Sequence, residues 1–153
     1  MTPTIKTLLI KLRRSKMVEF NLEKGIKGVF QTVVSTDNMA ERFSRPMPPS
    51  FATPMLVSLM DNAAIDAVKK YLPPGYITVA TSITIKHIAP TPEGMMVTAQ
   101  AELKEIFQNR LIFEVTAYDE VERIGVGEVE RYIIDLEKFS EKIQKKRSAE
   151  ERP

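Results

Sequence analysis

The sequence predicts a single α+β domain in which one long helix lies on a curved antiparallel sheet. Three observations predict this fold: an unbroken helical run follows a first strand, four β-like segments follow the helix, and the length of 153 residues suits one compact domain. A chain of this size buries roughly 70% of its unfolded surface, enough to form a core without crosslinks. We expect residues 1–20 to form an extension and residues 21–153 to form the domain.

Composition narrows the possible chemistry. The chain has no cysteine and one histidine, His87. These counts exclude disulfides, a cysteine nucleophile and a multi-histidine metal centre. The net charge of +2, from 22 basic and 20 acidic residues, is too even to indicate nucleic-acid binding. Because no apolar run approaches the ~18 residues of a membrane span, we expect a cytoplasmic protein without one.

The N-terminal extension is basic and amphipathic. Residues 1–16 carry five basic residues and no acidic residue. Four apolar residues recur there at helical spacing, namely Ile5, Leu8, Leu9 and Leu12. The pattern suits a membrane surface or a targeting role, but we expect an extension that packs loosely on the body or on a partner subunit, or an internal start at Met17.

The first strand is predicted just after Gly28, where residues 29–34 are rich in β-formers. Polar residues 35–38 end it. Residues 45–54 contain four prolines, which disfavour a regular helix or a central strand. We therefore expect a lid or an ordered covering loop between the strand and the helix.

The central helix has a clear start signal. Thr53 is predicted at the N-cap and Pro54 at the first helical position. The helix is expected to end near Tyr71, because two prolines and a glycine follow it. Its apolar residues recur at positions i, i+3, i+4 and i+7, namely Leu56, Leu59, Met60, Ala63, Ala64, Ala67, Val68 and Tyr71.

A second row on this helix carries Asp61 between Val57 and Ile65. The helix is therefore apolar on more than one side, as expected of a central helix. Asp61 is a carboxylate among apolar neighbours.

Four β-like segments follow, at residues 76–88, 95–107, 111–119 and 124–134. Residues 108–110 suit a tight hairpin, so an antiparallel meander is expected. A charged helix is predicted over residues 136–147. One long helix laid on such a sheet is the arrangement of a hotdog fold.

The first of these segments alternates between two faces. His87 shares the dry face with four apolar residues, Ile77, Val79, Ile83 and Ile85. Thr78 and Lys86 lie on the wet face.

Thr53, Asp61 and His87 are the candidates for chemistry. A hydroxyl, a carboxylate and an imidazole with buried surroundings are the groups of acyl-transfer or water-activating catalysis. Each also has a structural interpretation. Thr53 is then only a helix cap, Asp61 pairs with a lysine or faces solvent, and His87 is a core histidine with its hydrogen bonds satisfied. Spacing alone does not bring the three together.

The motifs around these residues form a recognisable set. Ala52-Thr53-Pro54 opens the helix, Asp61 follows eight residues after Thr53, and His87 lies 34 residues after Thr53 within Lys86-His87-Ile88-Ala89-Pro90. Over residues 28–139 the chain resembles the hotdog-fold acyl-CoA thioesterases related to fluoroacetyl-CoA thioesterase. That family has glutamate where this chain has Asp61, which is one methylene shorter.

The resemblance implies hydrolysis of a short or medium acyl-CoA by a triad of Thr53, Asp61 and His87. It places Arg131 near the site as a substrate-binding residue, and Ala80 where the fluoroacetyl enzyme has a glycine near fluorine. The change to Ala80 does not support fluoroacetyl specificity. No cofactor is expected, because coenzyme A enters as part of the substrate. Lys86, on the wet face of the strand beside His87, is then a candidate to bind the CoA phosphates.

The resemblance also implies a homodimer or a dimer of dimers with active sites between protomers. His87 of one subunit is then expected to face Thr53 and Asp61 of the other.

The expected mechanism uses His87 as the acid and base that activates water or a neighbouring nucleophile. Asp61 orients His87, or acts itself as the base or as an acyl acceptor. Thr53 is a nucleophile or an orienting hydroxyl. The backbone N–H groups of Met55 and Leu56 are expected to be free and to polarise the carbonyl.

Two other functions stay open. One is a hotdog enoyl-CoA hydratase or dehydratase, although the usual motifs of those enzymes are absent. The other is a non-catalytic protein for acyl-ligand binding or assembly. The sequence does not determine the acyl group.

Overall fold

The computed structural model describes residues 20–150 and shows one helix laid on a single sheet. Short 3-10 helices lie at Ala40–Arg42 and Lys69–Tyr71. The predicted N-terminal extension lies outside the described residues, apart from Phe20, whose ring packs edge-on against Tyr76. The regular elements are β1 (Lys27–Val33), α1 (Thr53–Val68), β2 (Tyr76–His87), β3 (Met96–Phe107), β4 (Arg110–Tyr118), β5 (Arg123–Asp135) and α2 (Leu136–Glu150).

The five strands form one antiparallel sheet in the order β1-β3-β4-β5-β2. The predicted meander and the long helix on the sheet are confirmed, and the arrangement is that of a hotdog fold. The turn between β3 and β4 places Gln108 at φ 55°, in the left-handed region that a tight hairpin requires. Within residues 20–150, neither helix is long and apolar enough to cross a bilayer.

The core lies between α1 and the inner face of the sheet. The apolar row predicted for the helix is buried from Leu56 to Val68, and it meets buried residues of the inner strands such as Leu103 and Phe113. Gly28 lets β1 approach the helix closely. A Cβ at this position would lie 2.3 Å from the carbonyl oxygen of Ala63 and from the backbone nitrogen of Ala67.

The loop between β1 and α1, residues 34–52, is ordered and lies beside the start of α1; we call it the covering loop. The Asn38 side chain donates to the Val33 carbonyl and accepts from the Ser35 N–H, which closes the end of β1. The far end of the loop is held by isolated β-bridges between Met39 and Phe51 and between Ser50 and Pro92. These contacts hold the loop beside the start of α1.

The predicted alternation of β2 is wrong for its first half, because Thr81 is an extra residue in the pairing with β5. One extra residue reverses the faces of all the residues before it. Thr78 is therefore buried at 9% exposure, whereas Ile77 is 40% exposed. His87, beyond the bulge, faces the helix as predicted.

Side chains of β4 and β5 hold this bulge. The hydroxyl of Thr81 donates to Glu130 Oε1 at 2.8 Å. The Nε of Arg110 donates to Glu130 Oε2 at 2.9 Å. The bulge directs Thr78 towards the helix side of the sheet.

Candidate active site

Thr53 and His87 meet where the start of α1 reaches the end of β2. The Oγ1 of Thr53 lies 2.8 Å from Nδ1 of His87. The prediction that Thr53 caps the helix is wrong: the helix begins at Thr53, its N-cap is Ala52, and no side chain caps it. Because the Thr53 hydroxyl caps nothing, it is available to the imidazole.

The predicted oxyanion donors are not free. The N–H groups of Met55 and Leu56 both donate to the Ala52 carbonyl, each at 3.0 Å. The extended conformation of Ala52 points its carbonyl into the first turn, which occupies both donors. What the helix start still offers the site is the positive end of its dipole.

His87 is half-buried, and its second ring nitrogen has no partner. Its Nε2 is buried and makes no hydrogen bond to any described residue. Burial lowers the pKa of His87 below its usual value, because the charged imidazolium loses hydration there. The ring is therefore neutral at neutral pH and carries one nitrogen ready for a partner from outside.

Asp61 binds Arg131 in a second cluster. Arg131 is only 5% exposed, and its Nη1 donates to Asp61 Oδ1. Its Nε donates to the Thr78 hydroxyl at 2.8 Å and its Nη2 to the Thr78 carbonyl at 2.7 Å. The guanidinium is thereby fixed on three sides and holds the Asp61 carboxylate in one orientation.

The two clusters are separate within one chain. Thr53 and Asp61 are eight residues apart on α1, which corresponds to about 12 Å along the helix axis. The expectation that His87 faces Thr53 of another subunit is wrong, because the two bond within one chain. Among residues 20–150 of one chain, no hydrogen bond or ion pair joins Asp61 to His87.

The other two predicted site residues flank these clusters. Ala80 is exposed and pairs with Arg131 in the β2–β5 register, which places it beside the Asp61 cluster. Lys86 is exposed on the opposite face of β2 from its neighbour His87. Neither residue contacts Thr53.

A cavity of about 500 Å³ opens beside Thr53 and His87. Its wall comes from the covering loop, the start of α1 and the segment after β2. A second cavity of about 340 Å³ lies near the other cluster, between Ile65, Tyr76 and Thr78. Each cluster of polar groups therefore adjoins its own apolar cavity.

Sequence reasoning missed Thr78 and the cavity wall. Simple alternation predicts Thr78 on the wet face, because a bulge leaves no periodic signal in one strand. Phe43 and Met47 line the larger cavity, yet they come from an irregular loop in which spacing predicts no direction. The four prolines nearby were the only signal that this loop is structured.

Comparison with known proteins shows the family to which the chain belongs. The model of the family described as FlK, fluoroacetyl-CoA-specific thioesterase, matches residues 34–137. The fluoroacetyl-CoA thioesterase of Streptantibioticus cattleyicolor is 43% identical over 102 residues, which are 67% of this chain and 73% of that protein.

Solved structures give the same result. The structure of the fluoroacetyl-CoA thioesterase FlK superposes with a TM-score of 0.77 at 36% identity, over 82% of this chain and 98% of that one. A thioesterase superfamily member from Thermus thermophilus gives a TM-score of 0.80 at 28% identity, over 84% and 96% of the two chains. The chain therefore belongs to the family of fluoroacetyl-CoA-specific thioesterases and is a thioester hydrolase of the hotdog fold.

Proposed function

We propose that this thioesterase hydrolyses a short or medium acyl-CoA to the free acid and CoA, with Thr53, Asp61 and His87 as its catalytic groups. The observation that carries the assignment is the 2.8 Å contact between Thr53 Oγ1 and His87 Nδ1 at the wall of the larger cavity. Structures of FlK are described with fluoroacetate and CoA and with acetyl-CoA, so a thioester of CoA is the natural substrate class to propose here.

His87 is the acid and base of the proposed reaction. Its neutral ring takes a proton from water or from Thr53, and the oxygen so activated attacks the thioester carbon. The C–S bond then breaks, and the imidazolium returns the proton to the CoA thiolate. If the attacking oxygen is that of Thr53, water cleaves the resulting ester in a second round of the same steps.

The tautomer of His87 separates the two roles of Thr53. With the proton on Nε2, Nδ1 accepts from the Thr53 hydroxyl and prepares it as a nucleophile. With the proton on Nδ1, the ring donates to Thr53 Oγ1, and Nε2 is free to accept a proton from water. Thr53 then orients the base.

Asp61 is proposed to reach the reacting atoms from a second copy of the chain. Within one chain its helix position separates it from His87, whereas Nε2 of His87 has no partner among the described residues. A homodimer that apposes the two clusters would supply the carboxylate, already oriented by Arg131. Lys86, exposed next to His87 in sequence, is proposed to meet the CoA phosphates.

Thiol release from a panel of acyl-CoA esters tests the activity. We expect turnover by the wild type and a loss of at least about 100-fold in kcat for His87→Ala, because the proton acceptor is gone. Circular dichroism checks that the variant is folded. Turnover that survives in folded His87→Ala would contradict the assignment, and hydration of enoyl-CoA without thiol release would favour a hydratase.

A hybrid dimer tests the shared site. Asp61→Asn and His87→Ala chains, co-expressed with different tags and purified as the mixed dimer, contain one site with all three groups. If Asp61 acts across the interface, the hybrid shows about half the wild-type activity, whereas either variant alone is inactive. An inactive hybrid of folded chains would contradict the shared site.

A further inference from the structure

The larger cavity adjoins the reacting pair directly. Thr53 and His87 both form part of its wall, so a thioester carbon placed against them has its acyl group in this space. The covering loop supplies another part of the wall through Phe43 and Met47. The chemistry of the wall therefore selects the acyl group.

The wall is apolar apart from a few hydroxyls. Two aromatic rings and several aliphatic side chains face the cavity, and the polar groups besides the reacting pair are Ser44 and Ser50. Within the described residues, no charged side chain lines it. A carboxylate at the end of an acyl group would lose its hydration there and gain no partner.

The size of the cavity exceeds what a two-carbon acyl group fills. A methylene group occupies roughly the volume of a water molecule, about 30 Å³, so an acetyl group would fill about an eighth of the 500 Å³. Six to eight carbons would fill between about a third and a half of it, and the rest would accommodate the first part of the pantetheine arm.

Three large apolar side chains at the cavity are exposed, namely Phe43, Met47 and Ile88, the last at 49%. Phe43 is 51% exposed and Met47 is 45% exposed. Their contact with an aliphatic chain would remove apolar surface from water on both sides, and this gain grows with each methylene. An acetyl-sized group would leave most of that surface wet.

We infer that the substrate carries an uncharged aliphatic acyl group of about four to eight carbons, selected by contact with Phe43 and Met47. The inference rests on the proposed function, since it takes the cavity beside Thr53 and His87 as the acyl site. It assigns this chain a larger and more apolar acyl group than the fluoroacetyl group named for its relative.

Non-hydrolysable thioethers of CoA test the inference separately from catalysis. Calorimetry would measure the affinity of the wild-type protein for S-ethyl-, S-butyl- and S-hexyl-CoA. We expect about a fourfold gain per added methylene. S-(3-carboxypropyl)-CoA, equal in carbon number to the butyl compound, is expected to bind at least about 100-fold more weakly. Equal affinity across the series, or tight binding of the carboxylate, would overturn the inference.

Matched variants locate the chain in the cavity. Met47→Trp fills part of the space and Phe43→Ala removes one wall, so both are expected to flatten the gain from ethyl to hexyl. Met96→Trp and Phe107→Ala change exposed residues outside the cavity and are the controls. If affinity rises with alkyl-chain length as steeply in both cavity variants as in the wild type, the alkyl chain lies elsewhere and the inference is overturned.

Hydrolysis of hexanoyl-CoA distinguishes the two proposals. If affinity rises steeply along the thioether series and hexanoyl-CoA is hydrolysed rapidly, both the acyl site and the catalytic mechanism are supported. A steep gradient without hydrolysis of any ester supports the acyl site and overturns the proposed catalytic mechanism. Rapid hydrolysis of acetyl-CoA together with a flat gradient supports the mechanism and overturns the acyl assignment.

Discussion

Asp61 of the central helix and Arg131 of β5 form an ion pair that joins two elements 70 residues apart in sequence. The pair is asymmetric, because Arg131 is buried while Asp61 keeps part of its surface in water. The Nε and Nη2 groups of the guanidinium donate to the hydroxyl and the carbonyl of Thr78. Arg131 is thus a positioning residue for the carboxylate. Substitutions of Asp61 and of Arg131 are therefore expected to differ in their effects on stability and on kcat.

Asp61→Ala is expected to lower the free energy of unfolding by about 3 kcal/mol, because it leaves a buried guanidinium without its counter-charge. Asp61→Asn keeps an acceptor oxygen and is expected to unfold more nearly like the wild type, with kcat reduced at least about 100-fold. Urea denaturation and thiol release measure the two effects. Asp66→Asn, on the same helix and away from Arg131, is the control. Wild-type kcat in Asp61→Asn would exclude a catalytic carboxylate.

Arg131→Lys tests the positioning role. A lysine keeps the charge but cannot make the three directed bonds to Asp61 and Thr78, so we expect a fall in kcat with little change in KM. The double variant Asp61→Asn/Arg131→Lys should then lose less kcat, in free-energy terms, than the sum of the losses in the two single variants. Additive losses would indicate that Arg131 acts independently of Asp61.

The hydroxyl of Thr53 is expected to matter more than its shape. Thr53→Val preserves the side-chain volume but removes the contact with His87, and we expect kcat to fall at least about 100-fold. Thr53→Ser keeps the hydroxyl and should retain most of the activity. Thr84→Val, on the exposed part of β2, is the control. Single-turnover kinetics with thiol detection compares the variants, and equal rates for Thr53→Val and the wild type would remove Thr53 from the mechanism.

The pH dependence follows from the environment of His87. Burial lowers the pKa of His87, so the neutral base persists below the ordinary histidine value of about 6.5. We expect kcat/KM to stay level from neutral pH downwards and to fall only at a pH below that value. An acid limb centred above 6.5 would contradict the predicted neutral, buried imidazole.

The same shift affects stability. Folding favours the neutral ring, so the contribution of His87 is complete above about 6.5 and is lost as the pH falls through the lowered pKa of the folded state. Urea denaturation at a series of pH values should show a smaller loss between neutral pH and pH 5 for His87→Gln than for the wild type. An identical pH dependence of the two proteins would contradict the shift.

Gly28→Ala is expected to destabilise the fold by about 3 kcal/mol, because the added Cβ meets backbone atoms of α1 that cannot move aside locally. Thermal denaturation measures the effect. Val29→Ala, at an exposed neighbouring position, should change stability by no more than about 0.5 kcal/mol. An unchanged melting temperature in Gly28→Ala would show that the strand and helix can separate without cost.

Much of the fold could be predicted because its signals are local. The burial of Leu56 and Ala63 follows from helical spacing, and His87 reaches the helix side through the alternation of the last half of β2. The candidate groups are also marked locally: Thr53 by the helix start, Asp61 by its apolar helix row and His87 by the dry face of its strand. A single sequence contains that information in the immediate neighbours of each residue.

The contacts of these groups depend on tertiary structure. The bulge at Thr81 is bonded to Glu130 on another strand, and the one-residue shift brings Thr78 to the side of Arg131. The length of α1 separates Asp61 from Thr53, whereas the pairing of β2 with β5 determines which arginine meets the carboxylate. The sequence by itself determined the fold class and the candidate groups, because periodicity and polarity are local. Only the tertiary structure decided which of those groups touch, because their contacts join residues tens of positions apart.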